Sequence, residues 1–261
     1  MNLNIMNPYI KHLNRIEFLI TLACTGRCRH CSEGDHAGCG VSLDGAAAAS
    51  LVTRVAENFP IESLMTFGGE PMLHPEAVYA IHRAGRDAGI PKRQVITNGF
   101  FSRDAVKIRT AAERLVQSGV NDILLSADAF HQETIPLEPV KTFAAAVLDA
   151  GGNLRMNPAW LVGRDADNVY NRRTSEILAE FSDMGIPVNG GNVIFPSGNA
   201  LKYLGEYFDR DNLPVNPYEE SPYDVRTISV DPNGSVLGGN IYETDILELI
   251  ETYTPFERRT I

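Results

Sequence analysis

Four glycines, Gly89, Gly119, Gly151 and Gly185, close helix-like runs at separations of 30, 32 and 34 residues. A glycine suits the left-handed position just past a helix, and a strand, a helix and their connections together occupy ~30 residues. Between those helix-like runs lie short apolar ones. Ile16–Leu22, Ser63–Phe67, Gln94–Thr97, Asp122–Ser126, Leu154–Trp160 and Val188–Phe195 read as strands. Asp44–Asn58, Pro75–Ala88, Asp104–Ser118, Pro139–Ala150 and Tyr170–Met184 read as helices, Pro75 being a favoured first helical residue. Strands separated by helices pair in parallel with right-handed crossovers. The chain therefore reads as an α/β protein, a partial (β/α)6 barrel of parallel strands with a short C-terminal β-hairpin and helix.

The organisation that follows is a lead-in over 1–14, the barrel core over 15–204, an irregular connection over 205–226, and a C-terminal unit over 227–261 packed on the core. In that last unit, Thr227–Val230 and Ser235–Leu237 read as a hairpin about Asp231-Pro-Asn-Gly234, and Asp245 opens a helix with Glu248 three residues later. With 261 residues and 44% hydrophobic content, the chain is in the size class of one β/α-barrel core. No apolar run approaches a membrane span, and the N-terminus lacks the charged-then-apolar pattern of a signal peptide. The net charge of −10 argues against a nucleic-acid partner, which a basic surface would meet.

All four cysteines lie between Cys24 and Cys39, three of them as Cys24-Thr-Gly-Arg-Cys28-Arg-His-Cys31 at the end of the first strand. Thiolates on such short loops hold iron–sulfur clusters. Four ligands would saturate a cubane, whereas three leave one iron open for chemistry. A structural zinc site is a competing reading, with His36 and Cys39 standing in for a missing second pair. A disulfide framework suits short secreted chains, and unligated core cysteines are a further alternative.

Cys-x3-Cys-x2-Cys after a strand, followed by Gly68-Gly69-Glu70-Pro71 at the end of the next one, resembles the radical S-adenosylmethionine (radical SAM) superfamily. The resemblance covers roughly Arg15 to Ala200. It implies one [4Fe-4S] cluster on Cys24, Cys28 and Cys31, and S-adenosyl-L-methionine (SAM) chelated to the open iron. It further implies reductive cleavage of SAM to a 5′-deoxyadenosyl radical that takes hydrogen from a substrate. A reductant such as flavodoxin or ferredoxin, and a reducing cytoplasm, belong to that reading. Near the C-terminus, Pro196-Ser-Gly-Asn-Ala200 and the stretch from Ile228 to Asn240 resemble members with auxiliary-cluster (SPASM/twitch-like) domains. Asn199 stands where those have Arg, and the auxiliary cysteines are absent. The echo points to a peptide or small metabolite as substrate. A glycyl-radical-enzyme activase is the alternative within the family. A cluster-bearing SAM-binding or electron-transfer protein without turnover is the alternative of another class.

Chemistry in β/α barrels collects at the C-terminal strand ends. There Gly68 and Gly69 admit close approach of a backbone, and the resemblance gives that motif the SAM amino group, with Glu70 in support. His30 takes a position where relatives often have an aromatic residue whose backbone faces adenine. Asn98, Ser126 and Asn157 are candidates for SAM polar contacts, each against a structural hydrogen-bonding role. Asp128 and His131, an acid and a histidine in the loop Asp128-Ala-Phe-His-Gln-Glu133, are candidates for proton transfer, against helix capping. Cys39 reads as a spare loop thiol.

Overall fold

The computed structural model describes residues 7–34, 36, 40–209, 211 and 213–255; Cys39 and the ends of the lead-in and C-terminal unit lie outside them. Five strands, β1 (Arg15–Leu19), β2 (Ser63–Phe67), β3 (Lys92–Thr97), β4 (Asp122–Leu125) and β5 (Leu154–Met156), lie side by side in sequence order. Every pairing among them is parallel. They alternate with α1 (Gly45–Ala56), α2 (Pro75–Asp87), α3 (Ala105–Gln117) and α4 (Leu137–Asp149), as parallel pairing requires. Asp44 and Asp104 cap α1 and α3, each accepting two backbone N–H groups of the first turn. The closing glycines Gly89, Gly119, Gly151 and Gly185 all have positive φ, between 64° and 100°.

Alternation along each strand separates two faces. Ile16, Phe18, Leu64, Val95, Ile123, Leu125, Leu154 and Met156 are buried in the main core with the helices. The other face is partly polar. On it Arg15 bonds Glu17 and reaches Gln94; Gln94 donates to Asp122 at 2.7 Å; and Arg155 holds Asp122 through two bonds of 2.8 Å.

Four details differ from the sequence reading. The fifth strand breaks into β5 and β6 (Ala159–Trp160) at Asn157-Pro158, because Pro158 has no N–H to give to a ladder. The sixth strand narrows to β7 (Asn192–Val193), parallel to β6, with Val188 bridging Met156. The fifth helix ends early, as α5 (Val169–Ala179), before a single 3-10 turn that stops at Gly185.

The C-terminal hairpin also shifts. Thr227–Val230 forms β8, which pairs in parallel with β1 at the open edge of the main sheet. There Ile228 and Val230 become fully buried, and the edge strand gains a partner for its backbone groups. The hairpin itself is β9 (Ser235–Val236) against β10 (Gly239–Asn240). Asp245 then caps α7 (Ile246–Thr252), whose Ile246, Leu247, Leu249 and Ile250 face the core. Among the described residues no helix is long and apolar enough to cross a membrane.

His82 of α2 lies in this core, 2.9 Å from Thr66 Oγ1, and burial pushes its imidazole down to about 3. The unfolded imidazole titrates near 6.5, so below that pH the unfolded chain binds the extra proton and the folded one refuses it. Stability is expected to fall as pH drops from about 6.5 towards 3, with a slope approaching about 1.4 kcal/mol per pH unit from this group. Urea unfolding at several pH values should show that contribution in the wild type and its loss in His82→Leu.

Candidate metal centre

The cysteine loop leaves the end of β1 and is held by four separate pieces of the chain. The first is the Gly68-Gly69-Glu70 turn. Gly69 N–H donates to Thr21 O at 2.7 Å and Glu70 N–H to Ala23 O at 2.8 Å. A Cβ on Gly69 would lie 2.2 Å from Ala23 O, and one on Gly68 would lie 2.6 Å from Thr21 O. The backbone that these glycines admit is thus the chain's own, running into the cysteines. Glu70 is fully buried and braces the turn: Oε1 accepts from Met72 N–H and the Thr97 hydroxyl, Oε2 from Asn98 N–H. Burial pushes its carboxyl up to about 7 against those hydrogen bonds.

The second piece is the loop after β3. Asn98 accepts from Phe100 N–H and turns its amide towards the cysteine loop, 3.3 Å from Thr25 Oγ1 and 3.6 Å from Cys24 Sγ. Thr25 donates to Phe100 O at 2.6 Å. The third is the loop after β4, where Thr134 Oγ1 accepts Arg27 N–H and Ile135 packs on Gly26. The fourth comes from far along the chain. At the start of α6 (Gly198–Tyr203), Asn199 donates to Cys28 O and Gly34 O, both at 3.2 Å, and its N–H bonds Cys31 O at 2.9 Å. Gly198, at φ 49°, is packed so closely that a Cβ would sit 2.4 Å from Ser32 O.

Sequence reading noted the turn at 196–200 but treated Asn199 only as a missing Arg. Its amide is a loop clamp. Asn199→Ala removes two donors from backbone carbonyls at a buried site, an expected cost of about 1–3 kcal/mol. The variant should melt earlier and release cluster iron to a chelator faster than wild type.

Cys24, Cys28 and Cys31 are free thiols that face one another closely enough to interact electrostatically. Burial raises all three, Cys24 to about 11, and the Arg27 charge only partly opposes this at Cys24. Thiols so desolvated stay protonated unless a metal takes them. Donors already surround the sulfurs: Gly26 N–H lies 3.3 Å from Cys24 Sγ, and His36 Nε2 lies 3.7 Å from Cys31 Sγ. Hydrogen bonds to sulfur are a means by which proteins tune iron–sulfur clusters. This donor set fits a cubane held by three thiolates.

Beside Cys28, Asp128 is fully buried and accepts from Phe130 N–H, His131 N–H, Ala159 N–H and His131 Nδ1. Burial opposes its ionisation, but the His131 imidazole and these donors outweigh that and hold the carboxyl well below the usual range. Asp128 therefore fixes the loop and orients His131, which stacks edge-on to His30 at 4.8 Å between ring centres. Burial, with His131 second, pushes His30 down to about 4. Phe130 packs on His30 and stacks on Tyr170, closing this side with an apolar wall. Asn157 accepts from Asn189 at 2.7 Å, and Ser126 is buried beyond the end of β4 with its N–H on Thr97 O. The structure brings His30, Asp128 and His131 to Cys28, and Asn98 to Cys24. Ser126 and Asn157 stand at neighbouring strand ends.

Comparison with known proteins agrees with this geometry. The family model described as "Radical SAM superfamily" matches residues 18–199. A probable GTP 3',8-cyclase of Saccharolobus islandicus (strain L.S.2.15 / Lassen #1) is 26% identical over 215 residues, covering 77% of this chain and 66% of that protein. A GTP 3',8-cyclase of Chlorobaculum tepidum is 27% identical over 118 residues, covering 45% of this chain and 34% of that protein. The chain thus spans just under two thirds of the length of the first of these relatives. Among solved structures, Streptococcus suis SuiB bound to S-adenosylmethionine superposes with a TM-score of 0.61 at 14% identity, over 92% of this chain and 65% of that one. Native anSMEcpe with bound AdoMet superposes with a TM-score of 0.55 at 15% identity, over 92% and 80% of the two chains. Members of the matched family are enzymes that use a [4Fe-4S] cluster and SAM. With its cysteine loop, its buried glutamate brace and a family match running from β1 to the Asn199 clamp, the chain belongs to the radical SAM superfamily.

Proposed function

We propose that the chain cleaves SAM reductively at a [4Fe-4S] cluster held by Cys24, Cys28 and Cys31, and uses the product radical on a peptide or a small metabolite. The observation that carries this reading is the gathering of three free thiols, one buried and two half-buried, on one loop pinned by four separated segments. When bound, the cluster and SAM supply a 5′-deoxyadenosyl radical that removes a hydrogen atom. The chain's residues do the rest. Glu70 and Asn98 keep the loop against the ends of β2 and β3. Gly68, Gly69, Ser126 and Asn157 present backbone and polar groups to SAM, and His30 flanks the site with Phe130 excluding water. Asp128 and His131 form an oriented pair able to hold a proton at His131 Nε2.

A one-electron donor such as flavodoxin or ferredoxin, in a reducing cytoplasm, completes the reading. The test is direct. Reconstituted, reduced protein given SAM alone should release 5′-deoxyadenosine. SAM that binds but is never cleaved under reducing conditions would favour a binding protein without turnover.

A further inference from the structure

Ligand atoms of Cys28, His30 and His131 lie within 4.8 Å of one another, on the side of Cys28 walled by Phe130. His131 gives Nδ1–H to Asp128 Oδ2 at 2.8 Å, which leaves Nε2 as its free lone pair. A carboxylate behind an imidazole is the usual support of a metal-bound histidine. His30 Nδ1 is buried with no hydrogen-bond partner, although buried polar atoms are nearly always paired. From this geometry we infer that Cys28, His30 and His131 form a mononuclear divalent-metal site of the zinc class, filled when the cubane is absent.

Several observations support the choice of ion. One thiolate and two imidazoles suit zinc, and three protein ligands leave a fourth position for water. One thiolate and the Asp128 carboxylate balance a doubly charged ion, so the buried assembly is neutral. The thiol proton leaves when the ion binds. Because Cys28 is shared, the ion and the cubane exclude each other. The site goes beyond the proposed SAM chemistry, and the cobalt, zinc and X-ray absorption measurements below are made on cluster-free protein, so the two can fail separately.

Cluster-free protein is titrated with Co²⁺ as a spectroscopic probe and then with Zn²⁺ in competition. One Co²⁺ per chain is expected, with a thiolate-to-cobalt charge-transfer band that Zn²⁺ abolishes. The band should persist in Cys24→Ala, Cys31→Ala and Cys39→Ala and vanish in Cys28→Ala. His131→Ala should weaken binding at least 100-fold, and Asp128→Asn about 10–100-fold. Zinc-loaded protein should take up no cubane until it is chelated. Loss of the band in Cys24→Ala, Cys31→Ala or Cys39→Ala, or affinity unchanged in His131→Ala and His30→Ala, overturns the inference. X-ray absorption of the wild-type zinc form is independent of how variants fold. One sulfur and two nitrogens from protein support the site, and two or more sulfurs overturn it.

Discussion

Alanine at any one of Cys24, Cys28 or Cys31 is expected to leave a folded protein that holds no stable cubane and releases no 5′-deoxyadenosine. The thiols contribute little to the core; of the three only Cys28 is fully buried, at 6% exposure. Two thiolates in a loop of this size cannot replace the third, and burial raises the remaining thiols towards protonation. Iron content, the visible spectrum after reconstitution and a thermal melt together check this result. Iron should fall from near four atoms per chain, the content of a single cubane, to background while the melt barely moves. Cys39→Ala, in contrast, is expected to keep its iron. A cluster lost only when Cys39 and His36 are both replaced would restore the zinc reading.

Gly69→Val is expected to destroy the site from the other side. In sequence, Gly69 reads as a place where the backbone comes close to a ligand, and on that reading alone a larger side chain would spare the cluster and weaken SAM binding. In the structure, the added Cβ meets Ala23 O at 2.2 Å and Leu22 O at 2.6 Å, both backbone atoms on the approach to Cys24. Backbone cannot rotate away as a side-chain tip can. Relief requires parting the turn from the loop, with loss of the bonds from Gly69 N–H and Glu70 N–H to Thr21 O and Ala23 O. The cost should exceed the roughly 1–3 kcal/mol usual for overpacking. Calorimetry should show a large drop in Tm, and reconstitution should fail in the same variant. A normal cluster with weakened SAM affinity would return Gly69 to a purely ligand-facing role.

Much of this was legible in the chain because short-range rules govern it. Helix ends at Gly89, Gly119, Gly151 and Gly185 follow from the one residue that takes positive φ without penalty. Strand positions follow from apolar runs, and the strand ends then gather the cysteine loop, Glu70, Asn98, Ser126 and Asn157. Long-range partners were hidden. The turn at 231–234 forms, with Asp231 N–H on Ser235 O, but nothing local says that Thr227–Val230 also adds to the edge of β1. Nothing at Asn199 says that its amide reaches carbonyls of Cys28 and Gly34, 171 and 165 residues earlier. The stacking of His30 on His131, and of Phe130 on Tyr170, is of the same kind.

The Asn199 clamp has a bearing on the order of events during synthesis. As the chain leaves the ribosome, β1 to β5 and their helices appear before residue 198 does, and contacts so distant in sequence close late. The nascent barrel would carry its cysteine loop exposed on one side until α6 arrives to seal it. A fragment stopped before Pro196 should therefore keep helical signal yet shed its iron readily, because the carbonyls of Cys28, Cys31 and Gly34 lose the partner that closes their side of the loop.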